Sequence, residues 1–382
     1  MITRALKHII NSKFFKGKAI IITGPRQVGK TTLLKTIAKE KGLPYIIFNC
    51  DEANVRNSLK DASIERLKSM IGKNKVILVD EAQRVENIGI TLKLIVDNFE
   101  DIQLLVTGSS TLDLATGIKE PLTGRKFEYH LFPFSLTELI EHHGVLNEEQ
   151  ALEKRLLYGS YPDAINHLGE EKELLSNLSN SYLFKDILAL GNIRKPVQLE
   201  KLVQALALQI GSEVSYAELG QIIEADKQTV ERYIDLLEQC FVVFRLNAYS
   251  KNLRNEIKKS KKIYFYDLGI RNAIIQNFNP LALRTDTGQL FENYIVSEFV
   301  KANSNARKHA KYYFWRSFQQ QEIDLVEEVD GKLNAIEIKW NENKKAKFPT
   351  TFTDNYVVNE KLIINKRNYS SISSLIIPNE II

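Results

Sequence analysis

In the first third of the chain, apolar residues fall in short unbroken runs: Ala19-Ile20-Ile21-Ile22, Tyr45-Ile46-Ile47-Phe48, Val76-Ile77-Leu78-Val79 and Gln103-Leu104-Leu105-Val106. Runs without polar alternation describe strands covered on both faces. The helix-length segments between them describe crossovers, so the pattern predicts a parallel sheet clad by helices. A fifth strand is expected near Phe127–Phe132. From about Phe134 to Asn192 the spacing becomes helical, Leu199–Ser250 reads as three short helices and an extended stretch, and strands return from Lys261. The order predicts an α/β domain over 1–135, a helical lid or connector over 136–195, a small helical module over 196–262 and an α+β domain over 263–382.

Composition narrows the class. Of 382 residues, 44% are hydrophobic and 26% charged, an ordinary globular balance. Lys and Arg outnumber Asp and Glu by 52 to 47, and a net charge of +5 does not by itself imply a polyanionic partner. Cys50 and Cys240, the only cysteines, are too few for a disulfide framework and fit a reducing cytosol. No apolar run approaches the ~18 residues of a membrane span, and the first residues lack the apolar stretch of a secretory signal. A cytoplasmic protein with no membrane association is expected. The six histidines show no metal-ligand spacing with the cysteines.

Candidate chemistry begins at the first strand. Gly24-Pro25-Arg26-Gln27-Val28-Gly29-Lys30-Thr31 fits G-x-x-x-x-G-K-[ST], follows a strand and opens a helix that continues through Thr32. Glycines let successive N–H groups curl around phosphate oxygens, and the helix N-terminus adds partial positive charge. Lys30 is placed to reach the β- and γ-phosphates of ATP, and the Thr31 hydroxyl to ligate Mg²⁺. The strand Val76–Val79 then ends in Asp80-Glu81. Asp80 suits Mg²⁺ held through water, or an N-cap; Glu81 suits orienting the attacking water. Thr107-Gly108-Ser109-Ser110 closes the next strand, where a polar side chain would lie between the two earlier strand tips or cap the following helix. Arg125 could serve a neighbouring subunit's nucleotide, making the chain a homo-oligomer, or be a surface arginine.

These segments, with Val79-Asp80-Glu81-Ala82-Gln83 and Leu122-Thr123-Gly124-Arg125, fall in the order of AAA+ ATPases, so residues ~15–135 resemble that family's P-loop domain. More narrowly, the chain resembles a prokaryotic ATP-binding family with a C-terminal domain of unknown function. Gly159-Ser160-Tyr161-Pro162-Asp163 and Lys262-Ile263-Tyr264-Phe265-Tyr266-Asp267-Leu268-Gly269 carry that likeness. The resemblance implies that Ser109 is the sensor residue and Arg125 a candidate arginine finger.

Further along, Ser215 with Glu218 forms a capping-box signature. After a break at Ala225-Asp226, Lys227–Leu237 places Val230, Ile234 and Leu237 on one face. This helix–turn–helix with the extended Phe241–Leu246 looks like a winged helix, its second helix offering Lys227, Gln228 and Arg232 to DNA or to a protein. Lys251, Arg254, Lys258, Lys259, Lys261 and Lys262 then form the densest basic cluster, against the single acid Glu256. Such a cluster is a phosphate footprint or a solvated face.

Asp330-Gly331 is a preferred two-residue turn between Gln321–Val329 and Lys332–Trp340. The register it sets places Asp324 opposite Glu337 and Glu322 opposite Lys339, all on one face, with Ile323, Leu325, Ile336 and Ile338 on the other. Two facing carboxylates repel unless a cation lies between them. This Asp-x₁₂-Glu-x-Lys hairpin resembles the restriction-endonuclease-like nuclease core, and Gly288–Ile295 the helix that carries a further acid there. The resemblance implies Mg²⁺ on Asp324 and Glu337, water activation by Lys339, and Glu292 completing the site. The bland reading is a solvated face with a Glu322–Lys339 ion pair. The leading expectation is an ATPase coupled to DNA binding, with a nuclease-like site. The rivals are a nucleotide-gated adaptor and a protein-remodelling ATPase, neither of which cuts DNA.

Overall fold

A computed structural model describes residues 2–109, 122–183, 187, 193, 195–250, 261–343 and 346–376. The chain divides into two compact units, Met1–Phe132 with Gln239–Phe241, and Pro133–Glu238 with Val242–Ile382. Among the described residues no helix is long and apolar enough to cross a membrane.

The first unit is built on five parallel strands, β1 (Ala19–Thr23), β2 (Tyr45–Asn49), β3 (Val76–Asp80), β4 (Gln103–Gly108) and β5 (Lys126–His130), in the order β2-β3-β4-β1-β5. β1 and β4 are buried throughout and β3 up to Asp80, whereas the edge strands β2 and β5 are half-buried. The unbroken apolar runs of the inner strands follow from that two-sided cover. On one side Ile21, Ile77, Val79, Leu104 and Val106 pack with Leu67, Leu92 and Ile95. Each such side chain contributes about 1.5–3 kcal/mol by leaving water. The order seats β4 between β1 and β3, with Thr23 paired to Gly108. The strand tips that carry the predicted chemistry therefore stand side by side.

The second unit contains a mixed sheet of β6 (Glu213–Val214), β7 (Val243–Ala248), β8 (Lys261–Phe265), β9 (Lys311–Arg316), β10 (Glu322–Val329), β11 (Lys332–Lys339) and β12 (Val358–Asn365). Their order is β12-β11-β10-β9-β7-β8-β6. The parallel pairing of β7 with β9 carries this sheet through the module expected over 196–262 into the domain expected from 263. The described residues of 136–195, expected as a lid or connector, belong to this same unit.

Their backbone explains the membership. Glu298 accepts from the Leu136 N–H at 2.6 Å, and Asn272 donates to the carbonyls of Leu156 and Leu157 at 3.0 and 2.9 Å. Asp267 caps the helix Leu268–Ile274 by accepting from the Ile270 N–H at 3.2 Å, and also accepts from the Ser160 N–H at 2.7 Å. Gly159, at φ +67°, makes room for it, because a Cβ there would stand 2.1 Å from the carboxylate. The two signatures of the second half thus form one joint.

A polar knot closes the same region. Asp286 accepts from buried Arg271 at 2.7 Å and from Arg284 at 2.8 Å, and Arg271 also donates to the Ala207 carbonyl at 2.8 Å. Burial would raise the Asp286 carboxyl, but its arginine partners outweigh it and hold the group at about 2. Its contribution is present above the unfolded value of 3.8 and is lost as pH falls toward 2. Asp286→Asn is expected to cost about 2 kcal/mol in urea unfolding at pH 7, a gap to wild type that narrows as pH falls from about 4 toward 2. A gap constant with pH would show that the charge is not what matters.

Candidate functional site

The segment between β1 and the helix Lys30–Glu40 bends through backbone that favours glycine. Gly24 has φ +153°, and a Cβ on it would lie 2.1 Å from the Leu131 carbonyl oxygen. Gly29, at φ +91°, precedes the helix directly. Val28 is buried beneath the loop, Gln27 and Thr32 are exposed, and Arg26 is half-buried. The Lys30 ammonium is folded onto the loop, donating to the carbonyls of Gly24 and Pro25 at 2.8 Å each.

The Thr31 hydroxyl donates to Asp80 at 2.7 Å, and the Thr107 hydroxyl donates to the same oxygen at 2.5 Å. Thr107 in turn accepts from the Glu81 N–H at 3.0 Å. Glu81 has φ +54°, an uncommon left-handed position that costs of order 1 kcal/mol or more outside glycine. Its carboxylate accepts from Gln83 Nε2 at 2.6 Å, and the same nitrogen donates to Ser109 Oγ at 2.9 Å. A hydroxyl and a carboxylate in direct contact are the donor types Mg²⁺ uses beside a triphosphate, so Thr31 and Asp80 fit the ion. Thr107 and Gln83 were not singled out from the sequence. The position of β4 between β1 and β3 is the signal that would have pointed to Thr107.

Arg125 lies elsewhere. It immediately precedes β5, whose pairing sets Lys126 beside Ala19 and His130 beside Thr23, so it marks the end of the sheet opposite the phosphate loop. Five residues of strand separate the ends by about 17 Å. Its Nε donates to Asp97 at 2.6 Å. Arg125 therefore does not serve the loop of its own chain. Ser110 lies outside the described residues.

In the second unit, the pairs from Leu325–Ile336 to Val329–Lys332 reproduce the expected hairpin register. Asp324, Glu337 and Lys339 converge: the Lys339 ammonium donates to Asp324 at 2.8 Å and to Glu337 at 2.7 Å. Both carboxylates are buried, which departs from a solvated face. Burial first, and the Asp324 charge second, push the Glu337 carboxyl up to about 7. Glu337 Oε1 is buried and has no hydrogen-bond partner.

Glu322 does not pair with Lys339 as the facing register suggested. Lys262 from β8 takes it, and also contacts Glu292 at 3.2 Å. Glu292, on the helix Thr287–Ala306, accepts from the Tyr264 hydroxyl at 2.7 Å. Lys262 is thus a correction to the basic cluster: it is 3% exposed and inside this network. Strand alternation is the reason, since Lys262 and Tyr264 share the face of β8 that meets Glu292. Lys261 is half-buried and lies 4.0 Å from Glu231, while residues 251–260 lie outside the described residues.

Among the described residues no group of three or more His, Cys, Asp and Glu is arranged to hold a metal ion. Mg²⁺, however, keeps most of its waters and needs only one or two carboxylates beside substrate phosphate. Asp324 and Glu337, the latter with a buried oxygen that has no hydrogen-bond partner, fit that requirement.

In the helical module Ser215 accepts from the Glu218 N–H at 3.4 Å and caps the helix Tyr216–Ile223. Val230, Ile234 and Leu237 of the next helix, Lys227–Gln239, are buried, while Lys227, Gln228 and Arg232 are exposed. β6, β8 and β7 form the adjoining strands.

Comparison with known proteins adds to this geometry. Residues 16–140 match a family model described as AAA domain. Residues 149–281 and 287–377 match two described as Domain of unknown function (DUF8612) and Domain of unknown function (DUF4143). An uncharacterized protein of Mycobacterium tuberculosis is 26% identical over 332 residues, spanning 85% of this chain and 70% of that one. Another from Methanocaldococcus jannaschii is 25% identical over 335 residues, 76% of this chain and 68% of that one. Among solved structures, the Thermotoga maritima RuvB Holliday junction branch migration motor is similar at 15% identity with a TM-score of 0.32, over 67% of this chain and 95% of that one. The first unit carries an AAA-type ATPase domain, which supports binding and hydrolysis of ATP.

Removing Lys262 leaves two carboxylates without their buried cation. Lys262→Met is expected to cost about 3 kcal/mol in urea unfolding. Unchanged stability combined with weaker DNA retardation would return Lys262 to the exposed basic cluster.

Proposed function

We propose that the chain is a Mg²⁺-dependent ATPase whose second half binds DNA and carries a metal-dependent phosphodiester-cleaving site. The observation that carries the first part is the contact of Thr31 with Asp80 at the mouth of a phosphate loop, within a matched AAA domain. ATP would draw Lys30 from the carbonyls of Gly24 and Pro25 onto its phosphates. Thr31 and Asp80 would hold the ion, and Glu81 would take the proton of the attacking water. Because Arg125 marks the far end of the sheet, any role for it at a nucleotide requires a second copy, so the reading that gives it one is a cytoplasmic homo-oligomer.

For the second half, helix, short strand, two helices and two strands over 196–265 support the winged-helix reading. Lys227, Gln228 and Arg232 are available to phosphates or base edges. Asp324, Glu337 and Lys339 within one charge network support the nuclease-like reading. A Mg²⁺ ion held there supplies charge for a scissile phosphate and lowers the proton affinity of water. Lys339 then has its ammonium beside the same carboxylates, placed to steady the developing negative charge, while Lys262 and Tyr264 fix Glu292. A non-cleaving module is the second reading, favoured by the Lys339 ammonium that already bridges both carboxylates.

Supercoiled DNA incubated with the chain, ATP and Mg²⁺ separates these readings. Nicking is expected, lost at least a hundredfold in Asp324→Ala with ATP turnover retained, whereas Lys30→Ala loses turnover. Retardation of DNA without nicking under any condition would establish the non-cleaving module.

A further inference from the structure

The ATPase reading leaves Gln83 unexplained. It lies in the short turn Ala82–Arg84 directly after Glu81. Its Nε2 is 2.6 Å from Glu81 Oε2 and 2.9 Å from Ser109 Oγ. An ionised carboxylate only accepts, so the atom facing Glu81 is the amide nitrogen, and this fixes the orientation of the whole group. Both amide hydrogens are then spent, one on each partner. The carbonyl oxygen Oε1 points the other way, buried and with no hydrogen-bond partner.

A buried acceptor left unpaired is costly, so a merely structural glutamine would be poorly placed here. The left-handed backbone at Glu81 adds to that cost and is held by the Thr107 hydroxyl, itself bonded to Asp80. Two chains of contact thus meet at Glu81: Thr31–Asp80–Thr107 at its backbone, and Ser109–Gln83 at its carboxylate.

We propose that Gln83 is a positioning residue of the ATPase site, one that sets the Glu81 carboxylate relative to Ser109. With nucleotide present, a shift of Ser109 is transmitted through the Gln83 amide to Glu81. The proposal rests on the ATPase reading and assigns to Gln83 the geometry of the water-activating step, with no part in binding ATP.

The test compares kcat, the KM for ATP and the affinity for a fluorescent ATP analogue in the full-length wild type, Gln83→Ala and Gln83→Glu. Gln83→Ala is expected to lower kcat at least tenfold, with KM and nucleotide affinity within twofold of wild type. Gln83→Glu removes the amide hydrogens that bridge Glu81 and Ser109, and is expected to lower kcat at least tenfold with KM and nucleotide affinity within twofold of wild type. Thermal melting of both variants controls for folding, and the near-isosteric Gln83→Glu tests the role if the alanine variant is unstable. Wild-type kcat in both variants, or loss of affinity in proportion to kcat, would overturn the assignment while leaving the ATPase reading intact. A wild-type chain that turns over no ATP would instead overturn that reading and this inference with it.

Discussion

The contact of the Thr31 hydroxyl with Asp80 ties the start of a helix to the tip of a strand two places away in the sheet. It exists because β4 lies between β1 and β3 and supplies Thr107, whose hydroxyl reaches the same carboxylate oxygen. Around that oxygen the remaining groups take their places. Lys30 is held on the loop carbonyls, and Glu81 is turned by its left-handed backbone toward Gln83 and Ser109. The loop fits only because Gly24 has no side chain, with the Leu131 carbonyl standing where a Cβ would be. The Thr31–Asp80 contact, the Glu81 carboxylate and the glycine bend are therefore one connected arrangement.

The second unit solves a different problem, the burial of charge. Asp324, Glu337, Glu292 and Glu322 stand near one another in low-dielectric surroundings, and two lysines from different strands compensate them. Taking several charges out of water is costly and gives little net stability over apolar packing. The network leaves one oxygen of Glu337 buried without a hydrogen-bond partner.

Much of this was legible in the residues. Unbroken apolar runs foretold the parallel sheet because its inner strands are covered on both faces. The phosphate loop was legible because only glycine tolerates its backbone, and the Asp330-Gly331 turn set a register that the strands obey. What escaped were contacts made by chain topology. Lys262 reads as one more lysine in a basic run, and only the pairing of β7 with β8 and with β9 brings it to Glu292 and Glu322. The affinity of Gly159 for Asp267, 108 positions apart in number, is likewise invisible until Ser160 is seen to donate to that carboxylate. Gln83 was legible as part of a motif but not as a bridge, since its partner Ser109 lies 26 positions on, just past the end of β4.

The central claim is that residues 24–31 and Asp80 form a site for a nucleotide triphosphate tail with its metal ion. A crystal structure of the chain with ADP and Mg²⁺ tests it most directly. The account predicts the β-phosphate inside the bend, the Lys30 ammonium moved from the Gly24 and Pro25 carbonyls onto it, and Mg²⁺ beside Thr31 and Asp80. A nucleotide bound elsewhere, with Lys30 still on those carbonyls, would contradict it.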